Sequence, residues 1–132
     1  MEIVTDLSAI MAVLLNEPER PGLELATIGH DLIAPGCIHW EIGNALYGAI
    51  KRHRMSERDA LSALAEFGRI PIRHIGVDIG ASIRIAAKHG IPTYDAYYLE
   101  CARAQRKALL TLDTRMLRVA GEMEINVVEV LS

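Results

Sequence analysis

Residues 3–18, IVTDLSAIMAVLLNEP, pass from β-branched residues into a helix-forming run across a single acid, Asp6. Glu2–Thr5 reads as a short strand, and Ala9 through Leu15 as a helix stopped near Asn16-Glu17-Pro18. The same change of period recurs downstream. A helix is expected from Glu19 to about Ile28, a strand at Leu32-Ile33-Ala34, a break at Pro35-Gly36 and a helix over Ile38–His53. Ser56 then caps a helix whose apolar side holds Ala60, Leu61, Leu64 and Phe67. After Pro71 a strand runs to about Val77, and Asp78 caps a helix through Ala87 that stops at Gly90. Tyr94–Gln105 reads as helix, Ala108–Thr111 as buried strand, Thr114–Ala120 as short helix and Ile125–Val130 as a fifth and last strand.

Short strands alternating with helices imply an α/β chain, a three-layer α/β/α sandwich around a mainly parallel sheet of about five strands. Right-handed crossovers cover both faces of such a sheet, and ligands bind beyond the carboxyl ends of its strands where the strand order switches. At 132 residues the chain is expected to form one domain, 1–132, with no repeat, linker or low-complexity segment. Apolar residues make up 51% and no apolar run reaches membrane-spanning length; Glu2 and Asp6 stand where a secretory leader would carry cations. A cytoplasmic protein is expected. Cys37 and Cys101 belong to no CxxC pair and read as buried thiols in a reducing compartment.

Asp6, Glu41, Asp95 and Asp113 lie where local structure least favours charge. Asp6 and Asp113 follow strands. Glu41 borders the stripe Ile42, Leu46 and Ala49, and Asp95 opens the face continued by Tyr98, Leu99 and Ala102. Taken singly each has a plain explanation: Asp6 and Asp113 as N-caps, Asp95 in a first turn with Thr93 as cap, Glu41 paired with an arginine. Together, with Ser8, Asn44 and Thr111 close by in sequence to orient carboxylates or metal-bound water, they suit one or two Mg²⁺ or Mn²⁺ ions and chemistry on phosphate esters.

The formal charge is −3; without the four acids the remainder is +1. Its cations cluster at Lys51-Arg52-His53-Arg54, at Arg103, Arg106 and Lys107, and at Arg115 and Arg118. A basic rim around an acidic pocket suits metal plus polyphosphate; ends of helices are the plainer setting for the first two clusters.

Other chemistries lack their residues. Ser8 stands where an aspartyl phosphatase would carry its second acid, and a phosphoacceptor reading of Asp78 lacks the acidic pair and the lysine it requires. His30, His39, His53, His74 and His89 include no pair on one helix face, and neither a Gly-rich phosphate loop nor a nucleophile elbow is present.

Four segments, IVTDLSAIMAVLLNEP, APGCIHWEIGNALYGAIKR, IPTYDAYYLECARA and ALLTLDTRML, resemble in order and spacing the motifs of PIN-domain ribonucleases, most closely the VapC-type toxins of bacterial and archaeal toxin–antitoxin systems. The resemblance implies that Asp6, Glu41, Asp95 and Asp113 form the family's acidic quartet, with Ser8 its small hydroxyl residue. It also implies a homodimer, an RNA substrate such as tRNA or rRNA, and inhibition by a cognate antitoxin. Metal-assisted hydrolysis follows, with Asp113 or Glu41 as proton acceptor and Lys51, Arg52, Arg103, Arg106 and Arg115 on phosphates. The alternative is a non-catalytic module whose acidic pocket captures a basic peptide or antitoxin tail. Trp40, Tyr47, Tyr97 and Tyr98 read as core or half-buried packing, with a dimer or antitoxin groove as the other use.

Overall fold

The structure, a computed structural model, describes residues 1–131; Ser132, the last residue of the expected domain, lies outside the described residues. Among these, four strands, β1 (Glu2–Thr5), β2 (Asp31–Pro35), β3 (Ile72–Ile75) and β4 (Ala108–Leu110), form one parallel sheet in the order β3-β2-β1-β4. Seven helices connect them: α1 (Leu7–Leu14), α2 (Arg20–Thr27), α3 (Ile38–Lys51), α4 (Glu57–Arg69), α5 (Ile79–His89), α6 (Thr93–Gln105) and α7 (Thr114–Glu122). The chain winds outward from β1 through β2 to β3, then crosses back to lay β4 on the other side of β1. Strand order therefore switches between β1 and β4.

The three-layer sandwich follows from alternation along the strands. Ile3 and Leu110 join Ala9, Ala12 and Leu23 of α1 and α2 in one apolar cluster. Their neighbours Val4, Ile33 and Leu109 join a larger cluster with Ile38 and Ile42 of α3, Phe67 of α4, Leu99 of α6 and Val119 of α7. Both sheet faces are thus buried, which is why the strands read as continuous apolar runs.

The expected fifth strand is corrected. The segment after α7 makes a single parallel bridge, Leu109 to Val127, held by Leu109 N–H to Asn126 O at 2.9 Å and Val128 N–H to Leu109 O at 2.9 Å. All three residues of β4 pair with β1 along one edge, whereas along the other edge only Leu109 is bridged. Val128 and Val130 still pack against the smaller cluster. Gly90 takes the left-handed conformation, φ 65°, that ends α5 where the sequence placed the stop. Among the described residues no helix is long and apolar enough to cross a membrane.

Candidate active site

Register builds the centre of the site. β1 and β4 pair Thr5 with Leu110, and the Asp6 N–H continues the ladder to Leu110 O at 3.0 Å. One residue beyond, the Thr111 hydroxyl donates to Asp6 Oδ2. Asp6 is 4% exposed. Its Oδ1 accepts from the Ser8 hydroxyl at 2.7 Å and from the Ala9 N–H at 3.1 Å, so the same carboxylate caps α1.

Ser8 and Thr111 knit the two strand ends together. Ser8 Oγ also accepts the Leu112 N–H at 2.9 Å, and Thr111 Oγ1 accepts the Asp113 N–H at 3.0 Å. Asp113 caps α7, its Oδ1 taking the N–H groups of Arg115 at 2.8 Å and Met116 at 3.2 Å. The plain reading and the functional reading of Asp6 and Asp113 are therefore compatible, since each caps a helix while standing at a strand end in the cleft.

Glu41, in the first turn of α3, accepts a 2.5 Å hydrogen bond from the Tyr98 hydroxyl of α6, with Cys37 Sγ 3.9 Å away. Among the described residues no arginine pairs with it. Asp95, in the first turn of α6, instead holds the guanidinium of Arg115 at 2.6 Å. Pro92, not Thr93, is the N-cap of α6, and it makes no side-chain cap.

Asp6, Ser8, Glu41, Asp95, Tyr98 and Asp113 line a single cleft of about 260 Å³ together with Leu7, Met11 and Met116. Two strand ends and two helix starts thus bring all four expected acids to the switch in strand order. Burial raises the Asp6 carboxyl above its ordinary range despite the hydrogen bonds from Thr111, Ser8 and Ala9, and Asp113 adds repulsion. Glu41 is raised by the same cause, offset by Tyr98 and reinforced by Asp95 and Asp6.

The donor set fits a hard cation. Among the described residues no three His, Cys, Asp or Glu side chains form a ready-made metal centre. Mg²⁺ does not need one, because it keeps several waters and takes one or two carboxylates directly. Oxygen donors of net negative charge, two of them disfavoured as anions by burial, are what such an ion neutralises.

Not every expected site residue lies at the cleft. Asn44 is exposed on α3 and does not line the cleft. Arg103 is committed to the buried Glu100, with both nitrogen–oxygen contacts at 2.7 Å. Arg103 and Arg106 border a separate hollow with Lys107 and Ala108, at the amino end of β4, away from the carboxyl ends where the acids gather. Lys51 and Arg52 close α3 about 15 Å along the helix from Glu41. Arg52 nonetheless borders a hollow that shares Ser8 and Met11 with the cleft. Only Arg115 of the expected cations touches an acid of the cleft.

Cys101 is buried as expected, but Cys37 is half-buried beside Glu41, its thiol pushed up to about 12 chiefly by burial. Tyr97 and Tyr98 pack as expected, whereas Trp40 and Tyr47 are 75% and 63% exposed. Sequence reasoning missed Tyr98 as a partner of Glu41. Its position three residues after Asp95, on the same helix face, was the available signal.

The profile of the PIN domain matches residues 3–122, which include every acid of the cleft. The chain belongs to the PIN domain family. This PIN domain is similar to Ribonuclease VapC9 of Mycobacterium tuberculosis, 32% identical over 115 residues that cover 86% of this chain and 87% of the relative. It is also similar to Ribonuclease VapC3 of Pyrobaculum aerophilum, 28% identical over 121 residues, 88% and 92% of the two chains. In fold it matches a crystal structure of VapBC2 from Rickettsia felis bound to a DNA fragment from their promoter, with TM-score 0.64, 16% identity and 98% coverage of both chains.

Proposed function

We propose that this PIN domain is a metal-dependent endoribonuclease, acting in the cytoplasm as the toxin of a type II toxin–antitoxin pair. The observation that carries the reading is the meeting of Asp6, Glu41, Asp95 and Asp113, from four separate elements, in one cleft. Similarity to the curated VapC ribonucleases over most of the chain supports RNA as substrate.

Asp6, Asp95, Asp113 and Glu41 are the residues that would hold one or two Mg²⁺ or Mn²⁺ ions. Bound there, the metal supplies an activated water and charge stabilisation on the phosphoryl and leaving oxygens. Glu41, held above the usual carboxylate range by burial and oriented by Tyr98, is suited to take the proton from the attacking water. Ser8 and Thr111 hold Asp6 in place and bind the backbone on either side of it to β4 and α7. Arg115 supplies a cation at the mouth of the cleft for a flanking phosphate. None of the exposed aromatics Trp40, Tyr47 and Tyr94 lines the cleft, so RNA shape carries more of the recognition than stacked bases do.

A homodimer and a cognate antitoxin are the partners proposed. Exposed Trp40 and Tyr47, two turns apart on α3, offer an apolar face for one of them. The Arg115–Asp95 pair favours the second reading to the extent that an acid of the cleft already accepts a guanidinium. On that reading the pocket captures a basic antitoxin side chain and performs no chemistry.

Cleavage of total RNA and tRNA with Mg²⁺, Mn²⁺ or EDTA, run beside Asp6→Asn and Asp95→Asn, separates the two. Metal-dependent cuts lost in both variants are expected. Identical behaviour of wild type and variants under every condition would leave the binding module standing.

A further inference from the structure

Among the described residues, Arg115 is the only cation in a salt bridge with any of the four acids of the cleft. It is held there twice. Its backbone N–H is bound at 2.8 Å by the cap Asp113, and its guanidinium reaches 2.6 Å to Asp95 Oδ2. The guanidinium thus straps the start of α7 to the first turn of α6, while the N–H bond to Asp113 is the local cap of α7. The strap is not locked by burial: the Arg115 side chain is 46% exposed and that of Asp95 22%. An ion pair this exposed is weak, because water screens it and both side chains lose rotamer freedom to form it.

We propose that Arg115 is a built-in counter-ion for Asp95 that a divalent cation displaces, so that loading the site with metal also releases the guanidinium toward an incoming phosphate. The inference rests on the metal-dependent reading above and adds to it a competition between two cations for one carboxylate. A divalent ion in the cleft is attracted by all four acids, whereas the guanidinium engages only Asp95 by side chain. Displaced, Arg115 stays in the first turn of α7, two residues from Asp113, and so remains beside the cleft. Because linkage is reciprocal, phosphate that draws Arg115 away from Asp95 strengthens metal binding by the factor by which metal strengthens phosphate binding.

The test is Mn²⁺ affinity, read by electron paramagnetic resonance at fixed ionic strength, for wild type, Arg115→Gln, Arg118→Gln and Asp6→Asn. Arg118 lies one turn on, paired with Glu122, and removes the same charge without touching the cleft acids. Arg115→Gln is expected to bind Mn²⁺ roughly two- to fivefold more tightly, the range of an exposed pair. Arg118→Gln is expected to stay within roughly 1.5-fold, since salt screens a charge at that remove. Side-chain ¹⁵N resonances give a second readout: the Arg115 Nη2 group, which donates to Asp95, should lose its protection as Mg²⁺ saturates the protein. Equal or weaker Mn²⁺ binding by Arg115→Gln, equal gains in both arginine variants, or an unmoved Arg115 resonance would overturn the competition while wild-type binding leaves the metal reading intact. Wild type that binds no better than Asp6→Asn would overturn both.

Discussion

Asp6 is where folding and chemistry oppose one another most sharply. Its carboxyl is raised by burial, so ionisation is disfavoured in the folded protein relative to the unfolded chain. A carboxyl raised in this sense lends stability that is complete below its unfolded pKa and is lost as pH rises through the folded pKa. Without metal, then, Asp6 weakens the fold toward neutral pH, and Glu41 does the same. Asp6→Asn should therefore raise the melting temperature of the metal-free protein near pH 7, with the gap to wild type shrinking as the pH is lowered through the carboxylate range, while cleavage is abolished. Calorimetry across pH in EDTA checks the sign; a variant less stable than wild type at neutral pH would contradict it. Thr111 makes the opposite case. Its hydroxyl serves both Asp6 and the Asp113 N–H, so Thr111→Val should cost about 1–3 kcal/mol in urea unfolding, and Thr111→Ser should recover most of it.

At the scale of elements, α7 hangs on the Oδ1 of Asp113, which takes two of its N–H groups. Asparagine caps as well as aspartate does, so Asp113→Asn should leave stability nearly unchanged while Asp113→Ala costs about 1 kcal/mol. Both should lose metal-dependent cleavage, which separates the cap from the site in a single pair of variants. Elements of this kind were legible in the sequence. The helices ending at Gly90 and starting at Asp78 and Ser56 announce themselves by caps, and β1, β2 and β4 by apolar runs buried on both faces. Ile125–Val130 misled because it is rich in β-branched residues, and such propensity does not by itself secure a partner: only Val127 is bridged, to Leu109. The four acids could be nominated because each sits at an element's end. The basic rim could not be placed, because which end of α6 faces the cleft is a matter of topology: Asp95 and Arg103 share a helix and lie toward opposite ends of it.

For the molecule as a whole, an ion that binds only the folded form adds its binding energy to folding. If the acids of the cleft hold Mg²⁺ or Mn²⁺ only in the native state, metal at a hundred times its dissociation constant should add about 2.7 kcal/mol of stability, absent in EDTA and in Asp6→Asn. Thermal melts with and without metal measure it directly. The single tryptophan offers a second probe, since Trp40 is 75% exposed on α3. If that face is covered in a homodimer, its emission should shift to the blue with rising protein concentration, and Trp40→Glu should sediment as monomer. The double duty of Asp6 and Asp113 reaches beyond the test tube, into how a gene for such a protein can decay. On the toxin reading proposed above, replacing either acid by a residue that cannot cap silences the chain and also frees the start of a helix. The quiet route to a silenced copy is a single-base change from Asp to Asn, at position 6 or 113, which leaves a folded protein able to occupy its partners without cutting anything. On that reading a disarmed descendant should be recognisable by amides where the acids stood, and it would compete for whatever antitoxin the active form binds.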